Sequence, residues 1–430
     1  MGTAVANGVR VSPPAQRQVA EQATRERFFS RSLLSLVDKI EAPDAGTIRI
    51  ATKGADASTL KKLSAENLGI LAHEILEKYP KPTTAEAAVG TGPFIMQSVE
   101  ENVSAEYVRN PDYWKAGLPY LDGIRVKAFS DQLTAWAAFS ANQVDVALAP
   151  PSEIQNYTAR QGPGFTPDWF ADDTTYSFLA PNTKLKPMDD VRVTRALRLL
   201  VDHGEFISAW ANTQYGRGTH GSVFPTALSA WDLTEDEYKQ RTEWKQPKDE
   251  AAKEAIALLT AAGFTRDNPL RFTLVGQSGV AGEAALQLLQ AQWKRWSQGI
   301  VDVQITGHTS AEFDVIRANM SFTYAHYGFS AGMADPDVWL SSTYYRGGSL
   351  NFAGLDDPQI NAVIDKQRAM FDESQRKAEV KQLVLYMLDH APTTIGANLF
   401  WLDAAKPRVQ NHLPQNTLNG RQYQTVWLDA

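Results

Sequence analysis

The stretch from Gly90 to Pro150 leaves this chain few ways to fold. It opens Gly90-Thr91-Gly92-Pro93-Phe94, where the glycines permit positive φ and Pro93 fixes its own φ while holding Gly92 out of the helical region. A stiff turn leading into a strand is the expected outcome. Phe94, Met96 and Ser98 alternate with Ile95, Gln97 and Val99, the polar Glu100-Glu101-Asn102 follows, and Ser104 to Arg109 alternates again, which predicts the two arms of a hairpin. Asn110-Pro111 starts a turn, and Tyr113 and Trp114 bring apolar area with polar handles able to tie that turn to a neighbouring surface. Ile124 to Phe129 alternates at period two. Ser130 and Asp131 then start a helix through Leu133, Trp136 and Phe139 that ends near Asn142, and Val144 to Leu148 is a short strand. Strand, helix and strand in that order predict a right-handed βαβ unit.

Four pieces of this region, in this order and at these spacings, carry a resemblance: Gly90 to Phe94, Arg109-Asn110-Pro111-Asp112-Tyr113-Trp114, Pro119-Tyr120-Leu121-Asp122, and a helix running into Gln143-Val144-Asp145-Val146. Together they resemble the solute-binding proteins of peptide/nickel-type ABC transporters, solute-binding family 5. The run Pro187 to Leu197 resembles the same family's signature at the expected place, as do Asp335-Pro336-Asp337 and the late helix starting near Asp372. The resemblance extends from about residue 30 to the end. It implies an α/β, periplasmic binding protein-like fold of class II (cluster C): two α/β lobes with a hinge plus an appended domain, closing on a ligand by hinge motion. Residues 1–118 would form the appended domain, 119–185 with 402–430 the first lobe, and 186–401 the second. The implied role is an extracytoplasmic monomer that hands a small solute, such as a peptide, an oligosaccharide or an opine, to the permease subunits of an ABC importer. Neither catalysis nor a cofactor belongs to that role.

Composition sets outer bounds. A chain of 430 residues suffices for two or three domains with substantial cores, and no run approaches the eighteen apolar residues of a membrane helix. A net charge of -7 gives no argument for nucleic acid as a partner. The absence of cysteine excludes disulfides, metal thiolates and thiol nucleophiles, and fits either redox compartment. Met1 to Ser12 holds one arginine and no apolar segment, so it does not read as a secretory signal. In the family a substantial stretch precedes the part that Phe28 onward resembles, and the expectation is a chain shortened at its N-terminus, with one wall of the ligand cleft incomplete.

Elsewhere the pattern is a second alternation of helix and strand. Residues 15–39 read as helix, Thr47 to Ala51 as strand, Ala65 to Lys78 as helix, and Ser152 to Gln161 as helix or turn. Asp189 and Asp190 cap a helix from Val191 to His203 whose buried face holds Val193, Ala196, Leu197 and Leu200; Arg192 and Arg195 lie off that face and read as solvated or ion-paired structural arginines. Gly216-Arg217-Gly218-Thr219-His220-Gly221 matches G-x-G-x-x-G, but it follows a helical stretch instead of a strand, so it reads as a flexible loop. Lys248 to Ala262 is a helix ended by Gly263, Leu270 to Val275 a strand, Gly282 to Trp296 a helix and Val301 to Ile305 a strand, hence a second α/β region. Asp357-Pro358 and Asp372 with Gln375 start two late helices, and Tyr423 to Leu428 reads as a last strand.

Catalytic signals are few. The seven histidines show neither an i,i+4 pair nor zinc spacing, and no H-E-x-x-H or P-loop is present. Carboxylates are plentiful, which keeps a carbohydrate hydrolase using a carboxylate pair as the rival reading. Eleven tryptophans, several in polar or glycine-rich segments, suit a small-molecule cleft. The resemblance places cleft candidates at Tyr327, Phe329 and Ser330, with Asn351 and Trp401 added from position and Tyr215 and His220 from the glycine-rich connection. One departure bears on the cargo. Peptide-binding members of the family commonly hold an aspartate four residues before the proline of Asp335-Pro336, where it meets the peptide ammonium; here Gly332 stands there, and Asp335 reads as a helix or turn cap. A buried ammonium without a carboxylate is strongly disfavoured, so the expected cargo is something other than an ordinary free-amine peptide: a sugar, an opine or a modified peptide.

Overall fold

A computed structural model describes residues 4–6, 9–11, 34–44, 46–64, 68, 72–79, 84–161, 169–221, 223–329, 335–392, 394–412 and 422–429. The chain divides into two compact units: one of Met1–Gly54, Leu60–Phe170 and Trp401–Ala430, the other of Ala55–Thr59 and Ala171–Phe400.

In the first unit, β1 (Ala4–Ala6) pairs antiparallel with β2 (Val9–Val11), and β3 (Val37–Asp44) with β4 (Thr47–Thr52). The turn between β3 and β4 closes where the Gly46 amide donates to Asp44 Oδ1 at 2.8 Å. The expected hairpin forms as β5 (Phe94–Glu100) and β6 (Ser104–Arg109), with Asn102 at φ 59° in the connection. Tyr113 ties the following turn down, its hydroxyl donating to Gln424 Oε1 at 3.0 Å. β7 (Gly123–Lys127) then adds antiparallel to β6, and Asp131 caps the helix Gln132–Ser140 by accepting the Thr134 amide at 2.8 Å. β8 (Val146–Leu148) pairs antiparallel with residues 403–405. The expected βαβ unit is therefore absent: all three elements exist, but β7 and β8 belong to different sheets. Alternation marks a strand and its two faces; it does not name the partner. The core beneath the helix is Trp136 stacked on Phe139 at 4.9 Å with Tyr157 edge-on at 5.7 Å, over Leu402 and Ala404.

Three readings shift here. Of the helix expected over residues 15–39, residues 15–33 lie outside the described ones, and residues 37–39 open β3. The helix expected over Ala65 to Lys78 is described as His73–Lys78. The last strand reduces to Trp427–Leu428, paired with Val409–Gln410.

The second unit is built on a mixed sheet. Its strands are β9 (Trp169–Pro181, entering from the first unit), β10 (Arg217–Thr219), β11 (Leu270–Gln277), β12 (Val301–His308), β13 (Tyr324–Phe329) and β14 (Thr394–Ala405, leaving towards the first unit), in the order β10-β14-β9-β13-β11-β12. β11 runs parallel to both β12 and β13, whereas β13 and β9 are antiparallel. The helix Val280–Trp296 connects β11 to β12, so the strand-helix-strand unit lies here. It buries Leu270, Leu274, Leu286, Leu289 and Trp293 in one apolar cluster, the kind of burial that holds a helix to a sheet.

Asp190 caps the helix Val191–Leu199, accepting the Arg192 amide at 2.9 Å. Val193, Ala196, Leu197 and Leu200 are fully buried, as their spacing requires. Arg192 pairs with Asp190 at 2.6 Å and Arg195 with Glu254 at 2.8 Å, the structural roles expected of them. The glycine-rich loop turns out to be strand: Arg217–Thr219 pairs antiparallel with residues 398–400. Gly218 is required there because a Cβ would stand 2.5 Å from the Ala211 Cβ. Gly218 thus serves a close approach of backbone to helix, and Gly216 ends the helix Asn212–Tyr215 at φ 92°.

Candidate functional site

Two of the described candidate residues, Tyr327 and Asn351, are taken up by structure. Tyr327 is 2% exposed, its ring 5.3 Å from Phe178 and 5.9 Å from Phe352 with the Arg317 guanidinium 5.5 Å above it, which makes it a core residue in this structure. Asn351 uses its whole amide on a turn: Nδ2 donates to the Tyr345 and Leu355 carbonyls at 2.9 and 2.7 Å, and Oδ1 accepts the Leu355 amide at 2.9 Å. Phe329 ends β13 with its backbone opposite Tyr176, and Tyr215 ends the helix Asn212–Tyr215; the side chains of both lie outside the described residues, as do Ser330 and Gly332 altogether. Trp401 is half-buried on β14 beside Phe400.

What does gather at one place is a set of residues around His220. β10 holds the Arg217 guanidinium 5.1 Å over the Phe400 ring, and the Gly218 amide donates to Asn212 Oδ1 at 2.7 Å. Directly after β10, the His220 carbonyl accepts a hydrogen bond from Asn398 Nδ2 at 2.8 Å. The His220 ring meets Trp244 edge-on at 4.9 Å, and Trp244 stacks on His203 at 3.9 Å and 21°. Burial lowers the His220 pKa, the opposed charges of Glu235 and Lys239 acting more weakly, so the imidazole is neutral at neutral pH. Three polar atoms of this group are buried with no protein partner: His220 Nδ1, Trp244 Nε1 and Asn398 Oδ1. Sequence reasoning reached His220 but missed Trp244 and Asn398. The available signal was Asn398 itself, an amide inside the apolar run Ala397-Asn398-Leu399-Phe400.

The buried carboxylates are committed elsewhere. Asp335 caps the helix Pro336–Thr343, accepting the Asp337 amide at 2.9 Å, and also accepts from Ser58 Oγ at 2.7 Å and from the Arg376 guanidinium at 3.0 Å. The cap was expected; the arginine was not. Asp337 takes hydrogen bonds from Arg368 at 2.7 Å and Gln367 at 2.6 Å. Among the described residues no group of three or more histidines, aspartates and glutamates is arranged to hold a metal ion.

The profile of the bacterial extracellular solute-binding proteins, family 5 (middle region), matches residues 16–351. The chain belongs to this family. Among curated proteins it is similar to the heme-binding protein A of Haemophilus influenzae, at 24% identity over 91% of this chain and 70% of that protein. It is also similar to the di/tripeptide-binding protein 2 of Pseudomonas aeruginosa, at 25% identity over 92% and 73% respectively. Among solved structures, the PBP AgaA of A. tumefaciens R10 in complex with agropinic acid matches with a TM-score of 0.79 at 21% identity, covering 100% of this chain and 86% of that one. The periplasmic binding protein fold of this family 5 member follows, with its mixed α/β units.

Proposed function

We propose that this family 5 protein captures a small solute outside the cytoplasm and delivers it, as a monomer, to the permease of an ABC importer. The family match over residues 16–351 carries this reading. The arginine-bound state of Asp335 and Asp337 favours binding over carboxylate catalysis, and no helix of the described residues is long and apolar enough to cross a membrane. We further propose residues 1–118 as an appended domain, 119–185 with 402–430 as the first lobe and 186–401 as the second, with Tyr215, Phe329, Ser330 and Trp401 kept as cargo contacts.

The cargo we propose is a solute without a free ammonium group. Gly332 supplies no carboxylate, and Asp335, the nearest carboxylate in sequence, already neutralises Arg376. A free amine brought here would lack its counter-ion. A thermal-shift screen tests this with free dipeptides, N-acetylated dipeptides, opines and cello- and xylo-oligosaccharides. A ligand at a hundredfold its Kd adds about 2.7 kcal/mol to the folded state, enough to move Tm by several degrees. The expected result is a concentration-dependent rise with one uncharged or acidic class. Binding of a free dipeptide that acetylation abolishes would overturn the cargo proposal, and no rise with any class would overturn the binding role.

A further inference from the structure

We propose that His220, Trp244 and Asn398 form a cargo subsite for an uncharged group that both donates and accepts hydrogen bonds, such as a secondary amide or a hydroxyl. The proposal rests on the solute-binding reading and deepens it. Trp244 is 9% exposed and Asn398 5% exposed, and both leave a polar atom unpartnered beside His220, whose Nδ1 is in the same condition. Folded proteins rarely leave buried polar atoms unmatched, and three in one contact group mark a place built for something else to bind.

The three atoms also specify what binds. The indole Nε1 only donates, the Asn398 oxygen only accepts, and the neutral imidazole takes either role. Asn398 is held in this orientation because its Nδ2 is spent on the His220 carbonyl, and Trp244 is held by its stack on His203. A carboxylate would satisfy Trp244 but set an acceptor against Asn398 Oδ1. An ammonium would satisfy Asn398 but set a donor against Trp244 Nε1. A hydroxyl or an amide satisfies both, and the Arg217 guanidinium over Phe400, two pairing steps along the same strands, stands ready for a more polar neighbouring part of the cargo.

The test uses Trp244→Phe, which keeps a ring against His203 and removes the N–H, with Asn398→Val as a second variant. The probes are N-acetyl-alanyl-alanine amide for the amide source and cellobiose for the hydroxyl source, titrated calorimetrically, with agropinic acid as a charged comparison. The expected result is that Trp244→Phe melts at or above the wild-type temperature, because an unmatched donor has gone, yet binds one neutral probe about tenfold more weakly. Which probe responds identifies the source. Unchanged affinity in both variants, for a probe that binds the wild type, overturns the subsite and leaves the solute-binding role standing; such a result means the atoms hold structural water only. If the wild type binds agropinic acid alone, its hydroxyl and amide groups are the probe, and the same tenfold loss in Trp244→Phe supports the subsite while unchanged affinity in both variants overturns it. If no probe binds the wild type, the solute-binding reading fails and this inference with it.

Discussion

His326 shows how burial sets a residue's charge. Its ring, 5% exposed on β13, shares a 2.8 Å hydrogen bond with Ser177 Oγ and meets Trp210 edge-on at 5.4 Å, and burial alone pushes its pKa down to about 4. An unfolded histidine titrates near 6.5. Above that pH both states are neutral and nothing is lost; as pH falls from about 6.5 towards about 4 the unfolded chain takes up a proton that the folded one refuses. Stability therefore falls across that window, by on the order of 3 kcal/mol for this group. Melting curves from pH 7.5 to pH 4.5 are expected to fall more steeply for the wild type than for His326→Phe, and parallel curves would contradict the assignment. Gly218 offers a second test at this scale. Gly218→Ala places a methyl 2.5 Å from the Ala211 Cβ, and the expected loss is about 1–3 kcal/mol by urea unfolding.

Among the elements, the segment Ala55–Thr59 is bonded to the cap of the helix Pro336–Thr343 and to two arginines of the helices that follow. Ser58 stands between Asp335 and Arg376, bonding both, while the Ala57 amide donates to the Arg368 carbonyl at 2.8 Å. Arg376→Met leaves Asp335 buried without its cation and is expected to cost about 3–5 kcal/mol, whereas Ser58→Ala costs about 1–3 kcal/mol; denaturant titration of the two variants checks the order. Elements of this kind divide what the sequence makes legible from what it hides. Caps at Asp131, Asp190, Asp335, Asp357 and Asp372 were readable because a cap is decided within three residues. The hairpin β5–β6 was readable for the same reason. The pairing of β8 with residues 403–405 spans more than 250 positions, and the insertion of Ser58 between Asp335 and Arg376 about as many, so no local pattern encodes either. Arg198 makes the same point: one turn beyond its ion-paired neighbours it is buried and donates to the Leu388 and Ala391 carbonyls at the end of the helix Glu373–His390, a role set entirely by a distant partner. In the candidate site, His220 was visible beside its glycines, whereas Trp244 and Asn398 join it only through tertiary contact.

The whole molecule, with two compact units linked through β9 and β14, belongs to a family of solute-binding proteins, and the proposed function requires that cargo be bound without being transformed. The composition agrees with such a role without demanding it, and the buried carboxylates are arranged for structure. Calorimetric titration of the purified chain with the best hit of the solute screen, followed by chromatographic recovery of the solute from the complex, tests that claim most directly. Saturable binding of one solute per chain, with the solute recovered chemically unchanged, is the predicted result. Recovery of a cleaved or modified product, or no saturable heat with any solute class at millimolar concentration, would contradict it.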